Sequence, residues 1–199
     1  MKSGFFNFIF CMFFGVSLVA KADLFDTLGL EHFGDKNTGE IAVNKAIALA
    51  AHIFISHQNP IVYVFLKRIA RVESDLGRHS GTFRQGYFGG IWQVDRIGFD
   101  ETKNLRSHPG LSRLHDEIKQ RFSWGGLPGV DWSKTSWEDC TIPAYSCVAA
   151  RLYLATISEA IPQSLEGQAN YWKKYYNTAA GAGTAQHFIN ANRGFKDEL

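Results

Sequence analysis

Over most of this chain the apolar residues recur at the three- and four-residue steps of a helix, not the two-residue step of a strand. Residues 40–57 set Ile41, Leu49 and Ile53 among Ala46, Ala50 and Ala51, which predicts a buried helix with small residues for close packing. Asn59-Pro60 breaks that pattern, and Pro60 suits the first position of a second helix. Residues 107–122 predict a third, with Leu111, Leu114, Ile118 and Phe122 on one face. Pro143 opens another, buried through Ala149, Leu152, Tyr153 and Ile157 and ended by Pro162; 164–176 is amphipathic, and 183–192 predicts a short last helix. The periodicity fails in two places. Gly77, Gly81, Gly86, Gly89 and Gly90 punctuate Phe83, Tyr87 and Phe88, which predicts a loop or short hairpin, and 123–139 is a loop rich in Gly and Trp (Trp124, Trp132, Trp137). The expected fold class is mostly α with a small β contribution: one helical domain with a loop-and-hairpin lobe inserted after the second helix.

One residue breaks the apolar pattern. Val62, Leu66, Ile69 and Glu73 follow at steps of four, three and four, so the carboxyl of Glu73 points where the apolar stripe points. Lys67, Arg68 and Arg71 lie off that line and are expected to face water, and Gly77 is expected to end the helix in the left-handed conformation. A carboxyl in apolar surroundings is costly to ionise, so its pKa is expected to rise, as suits a general acid. The competing role is that of a salt-bridged structural residue at a helix end.

The two ends carry targeting signals. Residues 1–22 have the form of a secretory signal peptide: Lys2, an apolar run over 5–19, and Ala20-Lys21-Ala22 before a cleavage point at Asp23. That run is short of the roughly 20 residues a membrane span needs. Lys196-Asp197-Glu198-Leu199 matches the tetrapeptide that retrieves proteins to the endoplasmic reticulum, which predicts residence in its lumen and binding to a retrieval receptor, with secretion as the alternative. The domain then occupies 23–195. The full chain carries 21 basic and 19 acidic residues. Lys2 and Lys21 fall in the signal, so the remainder is formally neutral, and neither nucleic-acid binding nor steering by net charge is expected. Cys11 also falls in the signal. Cys140 and Cys147 remain, and in an oxidising compartment they are expected to form a disulfide; a metal site is the other reading, but no His stands at ligand spacing. The seven His are scattered, and neither a Gly-x-Ser-x-Gly elbow nor a phosphate loop is present, so metal, serine-nucleophile and nucleotide chemistry have no motif and no cofactor is expected.

Three short motifs occur in a telling order: Glu73-Ser74 at a helix end, Gly90-Ile91-Trp92-Gln93 running on into Val94-Asp95, and Tyr176-Asn177 ahead of Gly181 and Gly183. In these the chain resembles the goose-type lysozymes and soluble lytic transglycosylases of the lysozyme-like superfamily, over roughly residues 60–188. The resemblance implies a lysozyme-like fold and cleavage of the β-1,4 link between N-acetylmuramic acid and N-acetylglucosamine in peptidoglycan, with chitin oligomers as a second possible substrate. It implies Glu73 as general acid/base, Ser74 and Gln93 as substrate contacts, Trp92 in the cleft floor where Met is usual, and Tyr176 bonded to Glu73 or to an N-acetyl group. Goose-type enzymes carry a further carboxylate between these motifs, whereas 78–92 of this chain contains no acid. Asp95 is then the best second carboxylate by motif match. Hydrolysis with inversion needs such a group to activate water; the lytic transglycosylases, as the resemblance implies, manage with one Glu. A binding protein on a retired enzyme fold is the reading from a different class.

Overall fold

The computed structural model describes residues 38–122, 129–178 and 181–195; the expected signal segment, Trp124 and the terminal Lys-Asp-Glu-Leu lie outside them. The chain is mostly helical: α1 (Glu40–Ile53), α2 (Pro60–Ser74), α3 (Arg96–Glu101), α4 (Leu111–Arg121), α5 (Pro143–Ala155), α6 (Leu165–Tyr171) and α7 (Ala185–Asn192). Short 3-10 turns at Ile55–His57, Trp132–Lys134 and Trp137–Thr141 join them, and a π-helical turn, Trp172–Tyr176, continues α6. None of the described helices is long and apolar enough to cross a membrane.

The core lies where α1 crosses α5 and where α2 packs between α1 and α7. Ala46 and Ala50 on α1 and Ala149 and Ala150 on α5 are fully buried, so small side chains let these two helices approach. Phe65, Leu66 and Ile69 of α2 are equally enclosed. The start of α2 follows from its sequence: the Asn59 side chain accepts from the Ile61 N–H at 3.1 Å, and Pro60 occupies the first turn.

Four expectations need correction. Of the two forms expected for the glycine-rich segment after α2, the hairpin is the one that fails: the segment is a loop built as a run of turns, and no strand occurs among the described residues. Its hydrogen bonds are local, such as Thr82 N–H to His79 O (2.9 Å) and Tyr87 N–H to Arg84 O (3.2 Å), so no ladder of a hairpin forms. Second, α2 stops at Ser74, earlier than Gly77 suggested. Asp75, Leu76 and Gly77 all take positive φ (49°, 59° and 85°), and the Leu76 N–H returns to the Ala70 carbonyl at 2.9 Å. Third, Lys67 does not face water: it is 1% exposed, pairs with Glu40 at 3.1 Å and lies over the Phe195 ring. Fourth, Cys140 and Cys147 are free thiols. Both are buried, but Cys140 senses Asp139 and Lys103 while Cys147 senses Arg151, so the two face different surroundings across the start of α5. Burial pushes both thiols up, which leaves them protonated and inert.

Candidate active site

Glu73 sits in the last turn of α2, on the stripe that buries Leu66 and Ile69, yet it is itself only partly enclosed. The indole N–H of Trp172 donates to its Oε1 at 2.8 Å. Oε2 makes no hydrogen bond to the described residues and stays available to a ligand. Burial raises the carboxyl from 4.5 to about 7, and the Trp172 hydrogen bond pulls in the opposite direction but loses. Near neutral pH, then, Glu73 is divided between acid and carboxylate, so it can give a proton and take one back.

The same shift has a consequence for stability. A folded-state pKa above the unfolded value means that the proton is held more tightly in the fold. The resulting stabilisation is complete below about 4.5 and is lost as pH rises through about 7. A rise from 4.5 to about 7 is worth about 3 kcal/mol. Glu73→Gln removes the ionisation and is expected to leave stability nearly unchanged at about pH 4 while raising it by up to about 3 kcal/mol at about pH 8.5. Urea titrations at both pH values check this; an equal effect at both would mean that the carboxyl is not desolvated.

The segment Gly90-Ile91-Trp92-Gln93 is fastened beside Glu73 from three directions. The Ser74 hydroxyl donates to the Ile91 carbonyl at 2.6 Å and accepts from the Gly77 N–H at 2.8 Å. The Trp92 indole donates to the Leu66 carbonyl of α2 at 2.9 Å. Ser146 of α5 donates to Gly89 O at 2.9 Å and accepts from Trp92 N–H at 3.2 Å. Gly89 and Gly90 permit this closeness: a Cβ on Gly90 would stand 1.9 Å from the Cys140 carbonyl oxygen.

These bonds correct several sequence-derived roles. Ser74 and Trp92 are 1% and 0% exposed with their polar atoms engaged, so neither can meet a substrate; one ties a helix end to a loop and the other is core. Gln93 takes a positive φ of 50°, and its amide donates to Thr82 O (3.1 Å) and Gly90 O (2.6 Å) while accepting from Arg84 (3.1 Å). Its side chain therefore organises the turns. Tyr176 does come to the site, but its hydroxyl donates to the Trp92 carbonyl at 2.7 Å and not to Glu73. Burial first and the Glu73 charge second push its phenol up. Asp95 is exposed and caps α3, accepting from the Gly98 N–H at 2.6 Å. It raises the phenols of Tyr87 and Tyr153 but contributes nothing to Glu73.

Two site residues, Trp172 and Tyr87, escaped the sequence reading, and Trp137, read chiefly as packing under its loop, joins them. Trp172 lies four residues before Tyr176, a spacing that puts both on one side of the same helix and is a usable signal. Tyr87 feels both Glu73 and Asp95, donates to the Gln93 carbonyl at 2.8 Å, and lies under the Arg84 guanidinium at 3.5 Å. Trp137 meets Tyr87 and Phe88 edge to face, with centroids 5.2 and 5.4 Å apart, and these three partly exposed rings form an aromatic surface beside Gln93. By contrast, Trp132 is core, its indole bonded to Thr102. The site can thus transfer a proton at one carboxyl bordered by aromatic rings. Comparison with protein-family models, with curated proteins and with solved structures finds no match for the chain.

Proposed function

We propose that the protein is a glycosidase of lysozyme-like fold that cleaves the β-1,4 link between N-acetylmuramic acid and N-acetylglucosamine in peptidoglycan. The observation that carries this reading is Glu73, a carboxyl raised to about 7 by burial and oriented through one oxygen by Trp172. Its protonated form delivers a proton to the glycosidic oxygen as that bond breaks, which glycoside cleavage requires. The aromatic surface of Tyr87, Phe88 and Trp137 offers faces on which sugar rings can stack.

The surroundings of Glu73 favour the transglycosylase form of the reaction. Burial and Trp172 account for its shift, with no carboxylate among the causes. Asp75, the nearest acid in sequence, is paired with Arg71, and Asp95 is committed to capping α3. A single carboxyl suffices if Glu73, having given its proton to the leaving oxygen, accepts one from the sugar's own 6-hydroxyl as that oxygen closes on the anomeric carbon. Mass spectrometry of the soluble fragments released from purified peptidoglycan tests this. Anhydro-ended fragments are expected; reducing-end fragments would make the enzyme a hydrolase and Asp95 the next residue to change.

A second reading rests on Ser74 and Gln93, whose side chains serve the fold. A glycan-binding protein with no turnover would retain the aromatic surface and need neither residue for chemistry. Retention on insoluble peptidoglycan without any released fragment would favour it.

A further inference from the structure

The stretch 78–92, which holds no acid, is cationic: it carries Arg78, His79 and Arg84. Arg84 is exposed, yet three contacts hold its guanidinium in place. Its Nη1 donates to the Gly81 carbonyl at 3.0 Å and to Gln93 Oε1 at 3.1 Å, and the group lies over the Tyr87 ring at 3.5 Å. These supports are themselves braced. The Gln93 amide donates to Thr82 O and Gly90 O, and the Tyr87 hydroxyl donates to the Gln93 carbonyl. Little side-chain freedom is then left to lose when the cation meets a ligand.

The charge of Arg84 is not used inside the fold. Arg71, Arg96 and Arg113 each pair with a carboxylate, whereas Arg84 pairs with none among the described residues. Asp95, which Tyr87 also senses, accepts from the Gly98 N–H instead. Nor does Arg84 tune the acid: burial and Trp172 account for the shift of Glu73, with no cation among the causes. Tyr87 senses both Arg84 and Glu73, so the guanidinium and the acid share its neighbourhood. At that end the aromatic surface presents a planar fork of donors, which suits a carboxylate.

We propose that Arg84 determines specificity by binding a carboxylate on the muramyl substituent of peptidoglycan, which sets this polymer apart from uncharged chitin. The inference rests on the proposed function for its substrate but not on the proton transfer at Glu73. Two sources carry such a group: the lactyl ether itself, whose carboxyl is free once the peptide is removed, and the attached peptide.

The test measures binding of the full chain to purified peptidoglycan, peptide-bearing or stripped of peptide, each before and after amidation of its carboxyls with ammonia and a carbodiimide. Fragment release is followed in parallel. The wild type is expected to bind an anionic form about fivefold more tightly than its amidated counterpart, the upper end of what an exposed ion pair contributes. The form that shows the preference identifies the source of the carboxylate, and the preference should vanish near about 1 M salt. Arg84→Gln is expected to lose it and Arg84→Lys to keep part of it, whereas damage to the loop alone would weaken all forms alike. Equal wild-type binding before and after amidation, or a preference that survives Arg84→Gln, would overturn the proposal even if fragments are released. An Arg84-dependent preference with no fragments would uphold it and overturn only cleavage. No binding to any form would overturn both.

Discussion

Glu73→Gln is expected to lower the release of peptidoglycan fragments by about 10²–10⁴-fold, the range over which a positioned acid or base contributes. Glutamine keeps the shape of the side chain and can still accept from the Trp172 indole, so the loss isolates the proton. The pH dependence follows from the same group. The acid form is required at bond cleavage and the carboxyl titrates at about 7, so kcat/KM should fall as pH rises beyond about 7. That limb belongs to the free enzyme's Glu73 and should disappear from whatever residual activity the variant retains. Turnover within about threefold of the wild type would remove Glu73 from the chemistry and the proposed function with it, since among the described residues no other carboxyl is pushed up by burial.

Gly90→Ala is expected to cost at least about 4 kcal/mol, at the extreme of what single substitutions do. Two penalties combine. The backbone holds φ at 63°, where a side chain costs about 1–2 kcal/mol. The added Cβ would also stand 1.9 Å from the Cys140 carbonyl oxygen and 2.7 Å from the Ser146 hydroxyl, and a main-chain oxygen at the mouth of α5 cannot swing aside. Gly86→Ala provides the control, since its φ is 74° but a Cβ there meets nothing within 4 Å. It should cost only the conformational part. Urea unfolding of both variants separates strain from overlap; equal losses would show that the loop and α5 are not in close contact.

Much of the scaffold is legible in the sequence because helices leave a periodic trace. The stripe through Val62, Leu66 and Ile69 placed α2 and singled out Glu73, and Pro60 and Pro143 marked two helix starts. What could not be read is the destination of hydrogen bonds. Ser74 and Gln93 look like substrate contacts in a one-dimensional motif, and only the approach of Ile91, Thr82 and Gly90 in space shows that backbone carbonyls claim them first. Lys67 was misplaced for a related reason: its stem is long enough to leave the polar side of α2 and reach Glu40 at the start of α1. Helix α3, at six residues, is too short for periodicity and is announced only by its Asp95 cap. The shared face of Trp172 and Tyr176 was visible in principle, but a spacing of four reads equally well as ordinary core.

The turn that carries those two residues is wound more loosely than a regular helix. Its Asn177 N–H reaches back five residues to the Trp172 carbonyl at 2.8 Å, where a regular helix would reach back four. A turn of this kind is what a helix becomes when it absorbs one inserted residue without unwinding. Deleting one residue from it would restore the regular ladder and rotate all that follows by about 100° about the axis. Tyr176 would then leave the Trp92 carbonyl, while Trp172, upstream of the change, would keep its hold on Glu73. A variant of this chain shorter by one residue in this turn would therefore keep Glu73 bonded to Trp172 while giving it a different neighbour in place of Tyr176.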